Sequence, residues 1–326
     1  MSEFDLINSL REIICARPGD EAAQSVVGIG DDGAVLSVPS GRELVVCTDT
    51  LVAGVHFPLP TRPDAIGYKA LAVNLSDLAA MGAQPAWFFM ALTLPFDNPD
   101  WIESFAGGMA KLASDAAVEL AGGDVTSGPL SITVTALGLV AKGQSLLRST
   151  AVAGDLVVVS GRPGAAAYAL KRLQEGSQPG TADLAALNFP VPRLALGRML
   201  PGLATACIDI SDGLAADLGH ILEQSGVGAV IDLDTLPCPD SLRSMAGSER
   251  WPLQLAGGDD YELCFTVPAG SKTELMELSV AAGVELTIIG EITPGREMEF
   301  KTADGKSYRP AMAGYRHFEN PGNGEK

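Results

Sequence analysis

TACIDISDGLAADLGHILEQ, residues 205–224, passes from one kind of element to another in its middle. TACIDI (205–210) is a short apolar run that predicts a buried strand ending at Asp209. Ser211 can then cap a helix running through DGLAADLGHILEQ. A buried strand passing through a short polar turn into a helix belongs to a layered α/β or α+β chain. The turn also places acids at an element end. Asp209 on the strand and Asp212 at the helix start could reach one ion. The helix N-terminus and the Ser211 hydroxyl would favour a phosphate nearby. A plain capped helix explains the same residues without any ligand.

The rest of the chain supports a layered fold. Its 326 residues suit about two domains, and 47% hydrophobic against 19% charged residues excludes wholesale disorder. Aromatics are only 6% and glycines number 37, which suits closely packed layers with many turns. Acids outnumber bases 40 to 22, a formal charge of −18, so the chain as a whole would repel nucleic acid and anionic membrane. An anionic ligand would then need a divalent cation to bridge it. The scattered cysteines (15, 47, 207, 238, 264) read as reduced cytosolic thiols, neither a disulfide framework nor a zinc site. His56, His220 and His317 are too scattered for a histidine metal site. The first twenty residues lack a secretory h-region. The uncharged run Leu78–Phe96 is broken by Gly82, Gln84, Pro85 and Pro95, and reads as a helix end, a turn and a buried strand. The expectation is a soluble, cytoplasmic protein.

Along the chain, residues 3–17 predict a helix, 34–38 and 44–48 strands, and 49–60 a loop. Pro63 opens a helix to Met81, stopped at Gly82. Trp87–Leu94 predicts a buried strand, Asn98-Pro99 starts a helix ending at Gly122, and 131–140 forms another strand. A boundary is expected between Arg148 and Asp155. Strand 157–160, helices near 164–175 and 190–200, and the opening motif follow. SDLAA (76–80) and SDGLAA (211–216) echo each other, as do GGD (122–124) and GGDD (257–260), too faintly to establish a repeat.

Aspartates gather beside glycines at element ends: Asp31-Asp32, Asp49, Asp77, Asp124, Asp209, Asp212 and Asp259-Asp260. Short carboxylates on tight loops suit a hard cation such as Mg²⁺. Taken singly, each is equally well a cap or turn residue. GIGDDG (28–33) matches G-x-G-x-x-G, but the strand-like AVLSV follows where a dinucleotide site needs a helix. No P-loop, protein-kinase signature or G-x-S-x-G is present.

GIGDDGAVL (28–36), TDTLVAGVHF (48–57), YKALAVNLSDLAAMGA (68–83), GGDVT (122–126), IDISDGL (208–214) and GGDDYEL (257–263), in that order, resemble the thiamine-monophosphate kinase family. That family shares a superfamily with aminoimidazole ribonucleotide synthetase, selenophosphate synthetase and a hydrogenase-maturation protein. The resemblance spans essentially the whole chain. It implies an N-terminal α+β domain (1–150) that binds ATP and metal and pairs its sheet in a homodimer. A C-terminal α/β domain (151–326) would complete the active site. It further implies phosphoryl transfer from ATP to thiamine monophosphate, yielding thiamine diphosphate. Asp32, Thr48, Asp49, Asp77, Asp124, Asp209 and Asp212 would hold several Mg²⁺ ions. Gly123, Asp124, Arg148 and Ser211 would face ATP, and His56, Asp259 and Tyr315 the thiamine phosphate. The family commonly reads GGEDYEL, and this chain has Asp259 at the Glu position, with the same charge on a shorter arm.

The chemistry implied is simple. A phosphate monoester has its second pKa near 6, so the nucleophile is already ionised at pH 7 and needs no catalytic base. The obstacle is joining two polyanions, which Mg²⁺ ions bridge during in-line transfer, with Arg148 neutralising further charge. Without the resemblance, Arg148 reads as a surface residue at a domain junction, Asp259 as a turn cap, His56 as a loop residue and Tyr315 as packing for the tail. A selenophosphate synthetase would need an N-terminal nucleophilic Cys near a Lys, and Cys15 falls instead on a predicted helix. A non-catalytic nucleotide- or ion-binding protein is opposed by intact Asp at every matched metal position.

Overall fold

The computed structural model describes residues 3–14, 24–312 and 314–315. Two compact units emerge, one up to Ser145 together with Asn188–Pro201, the other of Leu146–Leu187 and Gly202 onward. Residues before the first division form α1 (Glu3–Ile13), β1 (Gln24–Val27), β2 (Val35–Ser37), β3 (Arg42–Val52), α2 (Pro63–Ala80), β4 (Gln84–Leu94), α3 (Pro99–Ala116), β5 (Glu119–Ser127) and β6 (Ser131–Ala141). Next come β7 (Leu156–Ser160), α4 (Ala165–Gln174), α5 (Thr181–Asn188), α6 (Leu194–Met199), β8 (Ala206–Asp209), α7 (Leu214–Ser225) and β9 (Gly228–Asp232). The chain continues through α8 (Gly247–Ala256), β10 (Leu263–Val267), α9 (Lys272–Ala282), β11 (Leu286–Thr293), β12 (Met298–Lys301) and β13 (Ser307–Tyr308).

In the first unit a four-stranded sheet runs β3-β6-β4-β5, antiparallel except for the parallel β4–β5 pair. Pro63 starts α2 because its missing N–H is an orphan there anyway. Almost every residue of α2 is buried, so it must be covered on all sides. The sheet strands β3, β4 and β6 do this from one side, and α3 and α6 from others. Glycines permit the close approach: a Cβ on Gly67 would lie 2.0 Å from the Phe105 carbonyl oxygen, and one on Gly108 1.9 Å from that of Asp64. Leu71, Leu75 and Leu78 are fully buried, each contributing about 1.5–3 kcal/mol. The Leu78–Phe96 run is the end of α2, a turn at Met81-Gly82 and β4, and no helix among the described residues is long and apolar enough to cross a membrane.

The second unit holds a seven-stranded mixed sheet, β13-β12-β9-β11-β7-β10-β8, in which only β9–β12 is parallel. Leu214, Leu218, Ile221 and Leu222 of α7 fall on one helical face and pack with Val157, Val159, Ile208 and Ile231 of the strands. Gly226 ends α7 in the left-handed conformation, φ 68°.

Several expectations need correction. The helix expected to reach Gly122 stops at Ala116, where Ala117 takes a left-handed conformation (φ 50°), and β5 begins two residues later. Gly122 is therefore a strand residue, like Gly123 beside it, and not a helix stop. Strand β3 holds Thr48 as expected but runs on to Val52, so Asp49 lies within a strand where a loop was expected. The helix after TACIDI starts at Leu214, and Ser211 makes no side-chain cap to it. Strand β1 and helix α5 gave no sequence signal that we read, and the helix expected over 190–200 is limited to Leu194–Met199. Cys15 and the tail beyond Tyr315, His317 included, lie outside the described residues.

Candidate active site

On the first unit, a cavity of about 690 Å³ opens between the Gly28–Ala34 loop, α1 and β5. Asp31, Asp32, Gly123, Asp124, Met90 and Arg11 line it. β5 can form this wall only with glycine: a Cβ on Gly123 would lie 2.0 Å from the Met90 carbonyl oxygen, and one on Gly122 2.8 Å from the Phe89 ring. The result is bare backbone beside apolar side chains and carboxylates, in a volume within the usual range for small-molecule sites. The Asp32 N–H donates to Asp31 Oδ1 at 2.9 Å, which shapes the acidic turn.

A second acidic grouping lies where β3 meets α2. Period-two alternation puts Cys47 and Asp49 on the α2 side of β3 and Thr48 on the other. Asn74, fully buried in α2, accepts the Asp49 N–H at 3.1 Å, and its carbonyl accepts the Cys47 thiol at 3.3 Å. Burial, then the charges of Asp77 and Asp49, push the Cys47 thiol far up. Asp49 and Asp77 thus share one neighbourhood, while the Thr48 hydroxyl bonds Thr135 Oγ1 at 2.9 Å. His56 is held by its Nδ1, which accepts the Val52 N–H at 2.9 Å, and Lys69, 3% exposed, donates to the His56 carbonyl at 3.5 Å. That leaves the neutral-ring proton of His56 on Nε2.

The second unit brings the opening motif against GGDDYEL. The Asp259 N–H donates to the Ser211 carbonyl (2.9 Å), the Tyr261 N–H to that of Ile210 (2.8 Å), and the Tyr315 N–H to that of Asp212 (3.0 Å). A Cβ on Gly258 would lie 2.5 Å from the Ser211 carbonyl oxygen, so the two loops touch through backbone. Asp259 (φ 71°) and Tyr261 (φ 51°) both occupy the left-handed region, at about 1–3 kcal/mol each. Such conformations persist only where neighbours over-determine them, and they cluster at functional sites. Asp217 organises the other loop: its Oδ2 accepts the N–H groups of Ser211, Asp212 and Gly213 at 3.0, 3.0 and 3.1 Å. Burial first, then Asp209 and Asp212, push its carboxyl up to about 7. Arg148 lies nearby in the fold: its carbonyl accepts the Ser225 hydroxyl at 2.9 Å, and its charge and that of Asp209 both reach the buried Cys207 thiol.

The expected site residues therefore fall into groups. Asp32, Gly123 and Asp124 share the cavity, and Asp49 and Asp77 the β3–α2 seam. Ser211, Asp212, Asp259 and Tyr315 share the loop cluster that Asp209 enters. Thr48 stands apart from Asp49 on the opposite strand face. Asn74, Asp217 and Tyr261 were missed. An Asn among the mostly apolar residues of α2 and an acid in the first turn after a glycine were readable signals for the first two.

All the donors are hard oxygens. Among the described residues no three His, Cys, Asp or Glu side chains come together as a metal cage. Mg²⁺ suits such a set, because it keeps several waters and takes one or two carboxylates along with substrate phosphates. The residues present thus fit Mg²⁺ entering with a nucleotide.

Comparison with known proteins gives the family. Residues 30–140 match the family model described as AIR synthase related protein, N-terminal domain, and residues 152–302 its C-terminal counterpart. The thiamine-monophosphate kinase of Escherichia coli K12 is 45% identical over 90% of this chain and 93% of its own. The crystal structure of the thiamine-monophosphate kinase of Stenotrophomonas maltophilia K279a superposes with a TM-score of 0.84 at 44% identity, covering 94% of this chain and 98% of that one. A structure described as AaThiL complexed with AMPPCP and TMP gives 0.76 at 29% identity over 97% of both chains. With both domain models matched and 45% identity over 90% of its length to a curated relative, the chain belongs to the AIR synthase related family and, within it, to the thiamine-monophosphate kinases.

Proposed function

We propose that this chain transfers the γ-phosphoryl group of ATP in line to thiamine monophosphate (TMP), giving ADP and thiamine diphosphate. The observation that carries the reading is the cavity of about 690 Å³ walled by Asp31, Asp32, Asp124 and the bare Gly122-Gly123 backbone. Its size and its mixture of carboxylate, amide and apolar surface suit a nucleotide that arrives with divalent cations. The relative described as complexed with AMPPCP and TMP supports both substrates.

Asp32, Thr48, Asp49, Asp77 and Asp124 on the first unit, and Asp209 and Asp212 on the second, are assigned to several Mg²⁺ ions. Bound Mg²⁺ would neutralise and orient the phosphate oxygens. Gly123 and Asp124 are assigned to ATP, as are Arg148 and Ser211. His56 offers Nε2–H as a donor to the TMP phosphate. Asp259 offers its charge to the cationic thiazolium ring, and Tyr315, 40% exposed, offers a ring face. No side chain need remove a proton, because the attacking phosphate oxygen is already ionised at pH 7. We assign the first unit to dimerisation as well: β3 is an edge strand of its sheet, with Leu44 and Val46 exposed, and a second copy would cover that edge. The enzyme is assigned to the cytoplasm, where reduced thiols and both substrates are compatible.

A coupled assay of ADP release tests the reading. ADP should form with TMP and Mg²⁺, not with unphosphorylated thiamine, and not with Mg²⁺ chelated. Equal turnover of free thiamine, or undiminished turnover under chelation, overturns it.

A further inference from the structure

We propose that Tyr261 is a positioning residue that sets the Asp259 carboxylate toward the cationic ring of the acceptor. This rests on the reading of Asp259 as an acceptor contact. The Tyr261 hydroxyl donates to Asp259 Oδ1 at 3.0 Å. The tyrosine is 7% exposed, whereas Asp259 is only half-buried, so a packed ring delivers its hydroxyl to a carboxylate at the surface.

The backbone makes this arrangement deliberate. Asp259 and Tyr261 both sit at positive φ (71° and 51°), and the residue between them turns the other way. Asp260 accepts the Gly164 N–H with both carboxylate oxygens, at 2.8 and 3.0 Å. The N–H groups of residues 259 and 261 are tied to Ser211 and Ile210. With Asp260 pinned inward, Asp259 and Tyr261 are brought to the same side. A buried tyrosine hydroxyl needs a partner, and a backbone carbonyl would have served packing alone. Pairing it with a carboxylate restricts the Asp259 rotamer beside Asp212 and Tyr315, whose backbones are joined at 3.0 Å. A preset carboxylate binds a cation without first losing rotamer freedom.

The test is a double-mutant cycle of Tyr261→Phe, Asp259→Asn and both together, reading KM for TMP, KM for ATP, kcat and the melting temperature. Phe fills the same ring volume. Tyr261→Phe should raise KM for TMP about five- to tenfold, the scale of one hydrogen bond to a charged group partly open to water. KM for ATP and kcat should stay within about twofold and the melting temperature within a few degrees, as for one exposed-side hydrogen bond. The double variant should behave like Asp259→Asn alone. An acceptor analogue with a neutral ring in place of thiazolium should show no Tyr261 effect. Additive effects, an unchanged KM in Tyr261→Phe, or an equal effect on the neutral-ring analogue overturns the positioning role. An unchanged KM in Asp259→Asn overturns the reading of Asp259 itself, and the inference with it.

Discussion

Asp217→Ala should destabilise the second unit by about 2–3 kcal/mol. The wild-type Oδ2 accepts three backbone N–H groups at 3.0, 3.0 and 3.1 Å, in a side chain only 3% exposed. Each such bond contributes about 1 kcal/mol net, and more when the acceptor is charged. Alanine leaves Gly213, itself buried, with no acceptor in reach of its N–H. Against this, removing the acid relieves its burial and its repulsion by Asp209 and Asp212, which together push its carboxyl up to about 7. That relief keeps the sum nearer 2 than 4 kcal/mol. Asp217→Asn separates the two effects. Its amide oxygen can occupy the place of Oδ2 and still accept, so the loss should be under about 1 kcal/mol. Urea unfolding at pH 7, followed by fluorescence, gives the midpoints. Hydrogen exchange reports the amides of residues 211–213, which should lose protection in the Ala variant and keep it in the Asn variant. If Asp217→Ala shifts stability by less than about 0.5 kcal/mol with those amides still protected, the loop is held by something else and the reasoning fails.

Asp212→Asn should abolish turnover while the melting temperature holds, since the residue lies outside α7 and a neutral amide is a poorer Mg²⁺ ligand; near-normal activity at saturating Mg²⁺ would remove it from the metal set. Gly123→Ala should raise KM for ATP and cost about 2–3 kcal/mol, because its Cβ would sit 2.0 Å from the Met90 carbonyl and β5 must shift; a crystal structure with β5 unmoved would contradict this. Burial chiefly, opposed by the Gly164 N–H bonds and reinforced by Glu262 and Asp259, raises the Asp260 carboxyl well above its usual 3.8. The folded chain then binds that proton more tightly than the unfolded one, so this group's stability is present below pH 3.8 and is lost as pH rises through the raised value. Asp260→Asn should flatten that part of the stability–pH curve, and an identical slope would refute it.

Local rules reached far into this chain. The Pro63 start, the Asn98 cap (Oδ1 accepting the Trp101 N–H at 3.2 Å), the Gly82 stop and the strand ending at Asp209 follow from neighbours within a turn or two. So did the polar groups of chemical interest, because aspartates beside glycines at element ends are a local pattern. The ordered motifs then carried the family, since each is a short contiguous segment.

Tertiary structure decided what depends on residues far apart in the chain. Gly122 read locally as a helix stop, yet Gly122 and Gly123 are strand residues required by the distant Phe89 ring and Met90 carbonyl. Thr48 read as a strand end and Asp49 as the start of a loop, but pairing with Thr135 and Val134 of β6 extends the strand and sends the two side chains to opposite faces. Asn188–Pro201 joins the first unit because Gly197 lets α6 press on Ala79, a contact between positions over a hundred residues apart in sequence. The positive φ of Asp259 and Tyr261 is imposed by carbonyls of Ser211 and Ile210 and by Gly164. Sequence shows which groups can bond; only the folded chain shows which distant partner claims them, and at Asp259 that partner is a buried tyrosine that sets the direction of the charge.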